Sequence, residues 1–367
     1  MSSTSWCNSS ALSAAHDPGL NGRNEMSGNF WGGMGIVIVS GTINGCFPLP
    51  MKYSHKWRWE NNWILFSLVA WLVLPSLLLF FFVPHLAQVY REVPARALVF
   101  PLLFGFLWGL SQVTLGLSFA AVGVALAFSI MAGLCTLTGS LIPLLAFSPE
   151  DLFRPRGLLL LASVPILVVG LCLYARAGLK REQEQSSATE RSERAKVNFA
   201  KGLALCIFTG IFGSNVNLGF AFGGEVIRKS LDLGANPITS TYAVWALVCW
   251  AGVIPNVLYC SYLLFRNRSW GMFAAAGRGR ESVLAISMAV LWAVAIFSYG
   301  VGATMVGRYG TSVGFALLLA MTIIASTMVG VLTGEWKGTS PQTRRLLATA
   351  MTVVLASVVV LSLGGLF

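Results

Sequence analysis

Charged residues fall in clusters along this chain, and the stretches between clusters are unbroken runs of apolar and small residues. The charge-free intervals are 29–51, 61–90, 97–149, 157–175, 202–224, 233–265, 282–307, 309–334 and 346–367. A helix that crosses a bilayer needs about 20 apolar residues, so each interval holds one span and 97–149 has room for two. The pattern predicts ten spans, with the break in the long interval at the small-residue stretch 120–123. An outer-membrane barrel would show segments of about ten residues with alternating polarity. The run Leu77-Leu78-Leu79-Phe80-Phe81-Phe82 does not alternate. The fold class is therefore an all-α polytopic membrane protein. Composition agrees: 11% of the 367 residues are charged, against about 25% in soluble chains, and the mean hydropathy is +0.72.

The net charge of +11 changes the picture only through where the charges sit. Seventeen of the 25 Lys and Arg fall before or after alternate spans, in loops 1/2, 5/6, 7/8 and 9/10. The positive-inside bias puts those loops in the cytoplasm and both termini in the periplasm. A basic chain can also bind nucleic acid, but here the charge reports topology, and no nucleic-acid partner is expected. Residues 1–28 form a polar N-terminal tail whose first 25 residues lack the apolar core of a signal peptide, and Met26 is a plausible start.

Five spans precede and five follow a charged linker at 179–200. Five is odd, so a second copy of the unit enters the membrane inverted, which is a transporter signature. Two frames support a repeat of 29–178 in 201–367. Gly33, Ser40 and Gly41 recur as Gly202, Thr209 and Gly210, and Trp108 with Gly116 recurs as Trp292 with Gly300. The expected architecture is ten transmembrane helices in two inverted five-helix repeats. Most span glycines are explained by helix packing alone.

Candidate chemistry is sparse. His16, His55 and His85 lie far apart in tails and loops, the cysteines contain no C-x-x-C pair, and no metal, cofactor or catalytic constellation is expected. No Asp, Glu, Lys or Arg falls at mid-span, so a chamber there would suit a neutral solute. The spans offer amides and aromatics instead. Asn44, Gln112, Asn215, Asn217, Asn256 and Tyr299 are the candidate polar contacts, with Trp108 and Trp292 as stacking walls, because paired donors and acceptors match hydroxyls and aromatic faces pack on a pyranose. Trp71, Trp245 and Trp250 lie among the same aromatics, and the amides can equally bond neighbouring helices. Glu225 and Glu60, at span edges, are the proton-coupling candidates.

The segment Pro48 to Trp63 (PLPMKYSHKWRWENNW), followed by Phe104 to Ser129, resembles the L-rhamnose/proton symporter family of the drug/metabolite transporter superfamily. Further similarity lies in Ala175-Arg176-Ala177-Gly178, Lys201-Gly202-Leu203, Gly210-Ile211-Phe212, Pro255-Asn256 and Glu335-Trp336. The resemblance implies a central cavity and proton-driven uptake of a deoxyhexose across a bacterial inner membrane. Partners are then an L-rhamnose-like sugar, a proton and the lipid bilayer; the alternative is an exporter or exchanger of another small metabolite. Span 6 beyond Phe212 (GSNVNLGFAFGGE) departs from the family pattern.

Overall fold

The computed structural model describes residues 25–147, 153–185, 193–237, 239–306 and 314–364. The tail as far as residue 24 and the middle of the linker, 186–192, lie outside the described residues. Every regular element among the described residues is helical. In chain order these are α1 (Glu25–Cys46), α2 (Trp59–Phe82), α3 (Leu86–Glu92), α4 (Ala95–Val122), α5 (Val124–Phe147), α6 (Pro155–Gln185), α7 (Glu193–Gly213), α8 (Asn215–Ala221), α9 (Gly224–Asp232), α10 (Tyr242–Arg266), α11 (Arg278–Val306), α12 (Phe315–Leu332) and α13 (Pro341–Gly364). Nine helical stretches among the described residues are long and apolar enough to cross a membrane, and Val124–Gly139 is a shorter apolar stretch. The chain is a multi-pass membrane protein. Its outward surface carries bare apolar side chains such as Phe80, Phe81, Leu258 and Leu332, as a lipid-facing belt requires.

The long interval breaks at Gly123, inside the expected stretch. Gly123 has φ +84°, a conformation cheap for glycine and costly for any residue with a Cβ, and it lets α5 leave α4 in a tight hairpin. The span expected over 202–224 is not one helix. Ser214 Oγ donates to the Ile211 carbonyl at 2.9 Å and the Asn215 amide to the Phe212 carbonyl at 2.7 Å. These side chains compete with the backbone ladder and divide the span into α7 and α8.

The helices pair in a definite pattern. α1 packs on α11 and α12, while α7 packs on α4 and α5. α4 packs on α10 and α11 on α2, and α2 with α10, α5 with α12 and α6 with α13 make the remaining large contacts. The glycines of the first repeated frame make these contacts close. A methyl at Gly33 would lie 2.8 Å from the Gly302 carbonyl on α11, and one at Gly41 2.5 Å from the Leu318 carbonyl on α12. Gly202 meets Val122 on α4 and Gly210 meets Leu134 on α5, each at 2.5 Å. Backbones approach this closely only where side chains are small.

Polar loop contacts sort onto two ends of the bundle. At one end, Lys52 pairs with Glu335 at 2.5 Å, Arg181 donates to the Val122 carbonyl, Ser54 donates to Glu281, and Trp57 donates to the Met272 carbonyl. These residues belong to loops 1/2, 3/4, 5/6, 7/8 and 9/10, the set richer in Lys and Arg. At the other end Arg96 pairs with Glu225, and Lys229 with Glu92.

Candidate functional site

The site is built from the middle of three spans. Trp71, Trp108 and Trp292 each stand near the midpoint of α2, α4 and α11, and their rings meet: Trp71 lies 5.2 Å from Trp108 and 5.8 Å from Trp292, which are 6.0 Å apart. Trp108 and Trp292 therefore pack on each other with Trp71 closing the triangle, and neither presents a free face to a solute in this conformation. Trp71 occupies a π turn over Val69–Val73. Pro75 causes the irregularity locally, because it has no N–H to give the Trp71 carbonyl four residues earlier and its ring crowds that carbonyl. Trp71 is wholly buried, and its indole N–H has no hydrogen-bond partner. A buried donor left unpaired costs about 1–3 kcal/mol.

The expected polar contacts divide by how their hydrogen-bonding capacity is used. Asn256 is committed to packing: its amide nitrogen donates to the Gly109 and Gly252 carbonyls at 2.8 and 2.9 Å, and its oxygen accepts from Trp63 Nε1 at 2.9 Å. This bond set ties α10 to α4 and α2. Asn44 donates to Thr322 on α12 at 3.1 Å and lies near the C-terminal end of α1. Asn215 caps the break before α8. Gln112 makes only a 3.3 Å contact to its neighbour Ser111. The Asn217 side chain and the Tyr299 hydroxyl have no hydrogen-bond partner among the described residues. Gln112, Asn217 and Tyr299 are therefore the groups with capacity to spare, and Trp71 and Trp245, whose indole N–H is also buried and unpaired, join them. Sequence reasoning singled out both indoles as aromatic but not as donors. The Pro75 signal for Trp71 was present in the chain, whereas nothing local marked Trp245.

The two carboxylate candidates sit in different surroundings. Glu225 begins α9 and pairs with Arg96 at 3.1 Å, with the Arg96 side chain 69% exposed. Glu60, 4% exposed, accepts from Asn267 Nδ2 at 2.9 Å and from Ser269 Oγ at 2.8 Å. These partners are neutral, and they clamp the start of α2 to the turn after α10. Most of the tryptophan-rich segment does the same: Lys56, Trp57 and Arg58 donate to the carbonyls of Ala276, Met272 and Asn267. Among the described residues no three of His, Cys, Asp and Glu gather as a metal set would.

Known proteins are similar to this chain along nearly its whole length. The chain is 24% identical over 340 residues to a protein named L-rhamnose-proton symporter from Yersinia pestis (strain Pestoides F), covering 90% of this chain and 97% of that one. A protein of the same name from Mannheimia succiniciproducens is 24% identical over 351 residues, covering 94% and 99%. The family model described as L-rhamnose-proton symport protein (RhaT) matches residues 26–366, and the chain belongs to that family of transporters.

Proposed function

We propose that this protein carries L-rhamnose together with a proton across a bacterial inner membrane, working by alternating access with both termini in the periplasm. The family match over residues 26–366 carries this reading. The described spans support it independently, since they place no charged side chain at mid-depth and so suit a neutral solute. The two relatives named above are symporters of this sugar by name.

The architecture we propose is ten transmembrane helices in two inverted repeats, 29–178 and 201–367, joined by the linker 179–200. Helix pairing supports it. Exchanging each span for the one five positions away turns α1 on α11 and α12 into α7 on α4 and α5, turns α4 on α10 into α11 on α2, and returns α2/α10, α5/α12 and α6/α13 to themselves. The repeated frames obey the same exchange. Gly33 and Gly41 touch α11 and α12 as Gly202 and Gly210 touch α4 and α5, and Gly116 faces Trp63 of α2 as Gly300 faces Trp245 of α10.

Within this frame Gln112, Asn217 and Tyr299 are the substrate contacts best supported by their uncommitted polar atoms. Trp108 and Trp292 wall the chamber once the triangle with Trp71 opens. Asn44, Asn215 and Asn256 hold the chamber's shape. Of the two carboxylates, Glu60 is the better coupling site, because its hydrogen-bond partners Asn267 and Ser269 are neutral and the nearby Arg58 keeps its own bond to the Asn267 carbonyl when Glu60 takes a proton.

Uptake of radiolabelled L-rhamnose into proteoliposomes, with and without an imposed pH gradient, tests the function. Gradient-stimulated rhamnose uptake is expected. Rhamnose uptake indifferent to the gradient would sink symport, and uptake of another solute in place of rhamnose would leave the exporter or exchanger reading. Glu60→Gln should abolish gradient-driven accumulation while rhamnose exchange across the membrane persists.

A further inference from the structure

Two unpaired donors in the half of the bundle away from the basic loops share an unusual feature: each faces a glycine. Trp245, one turn into α10, is 5% exposed and its Nε1–H has no partner. A methyl placed on Gly300 of α11 would lie 3.4 Å from that nitrogen and 3.9 Å from Thr241 Oγ1. Asn217 stands on α8 in the same relation to Gly139 of α5, where an added methyl would lie 3.4 Å from Nδ2. Phe220, one turn from Asn217 on α8, places its ring 5.3 Å from Trp245. One short helix thus links the two donors through an aromatic face. That helix follows the break at Ser214, and interrupted spans of this kind build substrate sites in transporters of other folds.

We infer that Trp245 and Asn217, set opposite Gly300 and Gly139 with the Phe220 ring packed on the indole, form a hydrogen-bonding subsite for the hydroxyl oxygens of a neutral sugar. The chemistry follows from the groups. Both donors are uncharged and neither has a cation–π or ionic contact among the described residues, so they suit a hydroxyl oxygen rather than a carboxylate or phosphate. A ring C–H face packs on Phe220. The glycines matter by what they leave out: any larger residue at 300 would come into van der Waals contact with the indole nitrogen. This inference rests on the reading of the chain as a sugar carrier, and it adds the residues that discriminate among sugars.

The test uses the full chain in lipid nanodiscs, with monosaccharide binding followed by calorimetry for wild type, Trp245→Phe, Gly300→Ala and Asn217→Ala. Trp31→Phe, at the exposed end of α1, is the control. Trp245→Phe keeps the ring and removes the donor, so L-rhamnose affinity should fall about 3- to 10-fold, the range of one neutral hydrogen bond. Gly300→Ala should cost more than tenfold by filling the space. Deoxy analogues of rhamnose supply the second readout: the analogue lacking the hydroxyl that Trp245 holds should bind wild type and Trp245→Phe equally. Thermal melts identify any variant that fails to fold, and Trp245→Phe, the mildest change, then decides. Wild-type rhamnose affinity in a folded Trp245→Phe, or equal losses for every analogue, would overturn the subsite. If wild type ignores rhamnose but binds another monosaccharide with the same sensitivity to Trp245→Phe, the subsite stands and the rhamnose reading falls.

Discussion

The two ends of the bundle hold the chain together with similar groups under different solvation. At the basic end three carboxylates that hold loops together are sunk: Glu281 and Glu60 are 0% and 4% exposed, and the Glu335 and Lys52 side chains 13% and 21%, while Glu184, which accepts from Ser340 and Thr343, is exposed. At the opposite end the pairs are open, with side chains 69% and 30% exposed in Arg96–Glu225 and 27% and 43% in Lys229–Glu92. An exposed ion pair is worth at most about 1 kcal/mol because water competes for both charges. A sunken charge that loses its partner costs several times more, since its desolvation is no longer offset. Contacts at the basic end are therefore hard to break one at a time, and those opposite are easy. For a protein that must open to each side in turn, this difference predicts unequal barriers at the two ends.

Glu335 offers the largest test. Its carboxylate accepts from the backbone N–H groups of Val124 and Ala125 at the start of α5, at 3.0 and 3.4 Å, while pairing with Lys52. The α5 N-terminus favours that negative charge as well. Arg181 lies close by, stacked on Trp336 at 5.2 Å. Removing the carboxylate leaves Lys52, Arg181 and two backbone donors without it. Glu335→Ala should lower thermal stability in detergent by about 3 kcal/mol; a loss under about 1 kcal/mol would show that the burial at this end carries no energetic weight. Next in size is Glu60→Ala, which strands the Asn267 amide and the Ser269 hydroxyl without introducing an unpaired cation. A loss of about 1–3 kcal/mol is expected from the same melts.

How much of this was legible in the chain depends on whether the physics is local. Span limits were legible because lipid forbids charge over about 20 residues, and the charge-free intervals 29–51, 282–307 and 346–367 follow α1, α11 and α13 closely at both ends. The turn at Gly123 was legible from small residues. The division of span 6 at Ser214 was not read, although the Ser-Asn-x-Asn run that competes with the helix ladder is plain in retrospect. The site was legible only as a list of residue types. Asn256 and Asn217 look alike in sequence, yet the side chain of one is bonded to α4, α2 and its own helix and the side chain of the other to nothing among the described residues. That distinction depends on partners 147 and 193 positions away, which no local pattern encodes.

The smallest effects belong to the opposite end. Arg96→Ala should change stability by less than about 1 kcal/mol, and the change should vanish in high salt as screening shortens to a few ångströms. Glu92 gives the finest probe. Its carboxyl is held below the ordinary carboxylate value first by the hydrogen bond from Lys229 and then by that from Gln88. A carboxyl whose folded value is lowered contributes stability that is fully present above its unfolded value and is lost as pH falls through the folded one. Acid melts of wild type should therefore show a slight drop at the acid edge that Lys229→Met diminishes, since Gln88 remains. An equal drop in both proteins would mean that Lys229 sets nothing about Glu92. A drop as large as that from Glu335→Ala would erase the contrast between the ends, because an exposed pair would then be stabilising the bundle as strongly as a buried one.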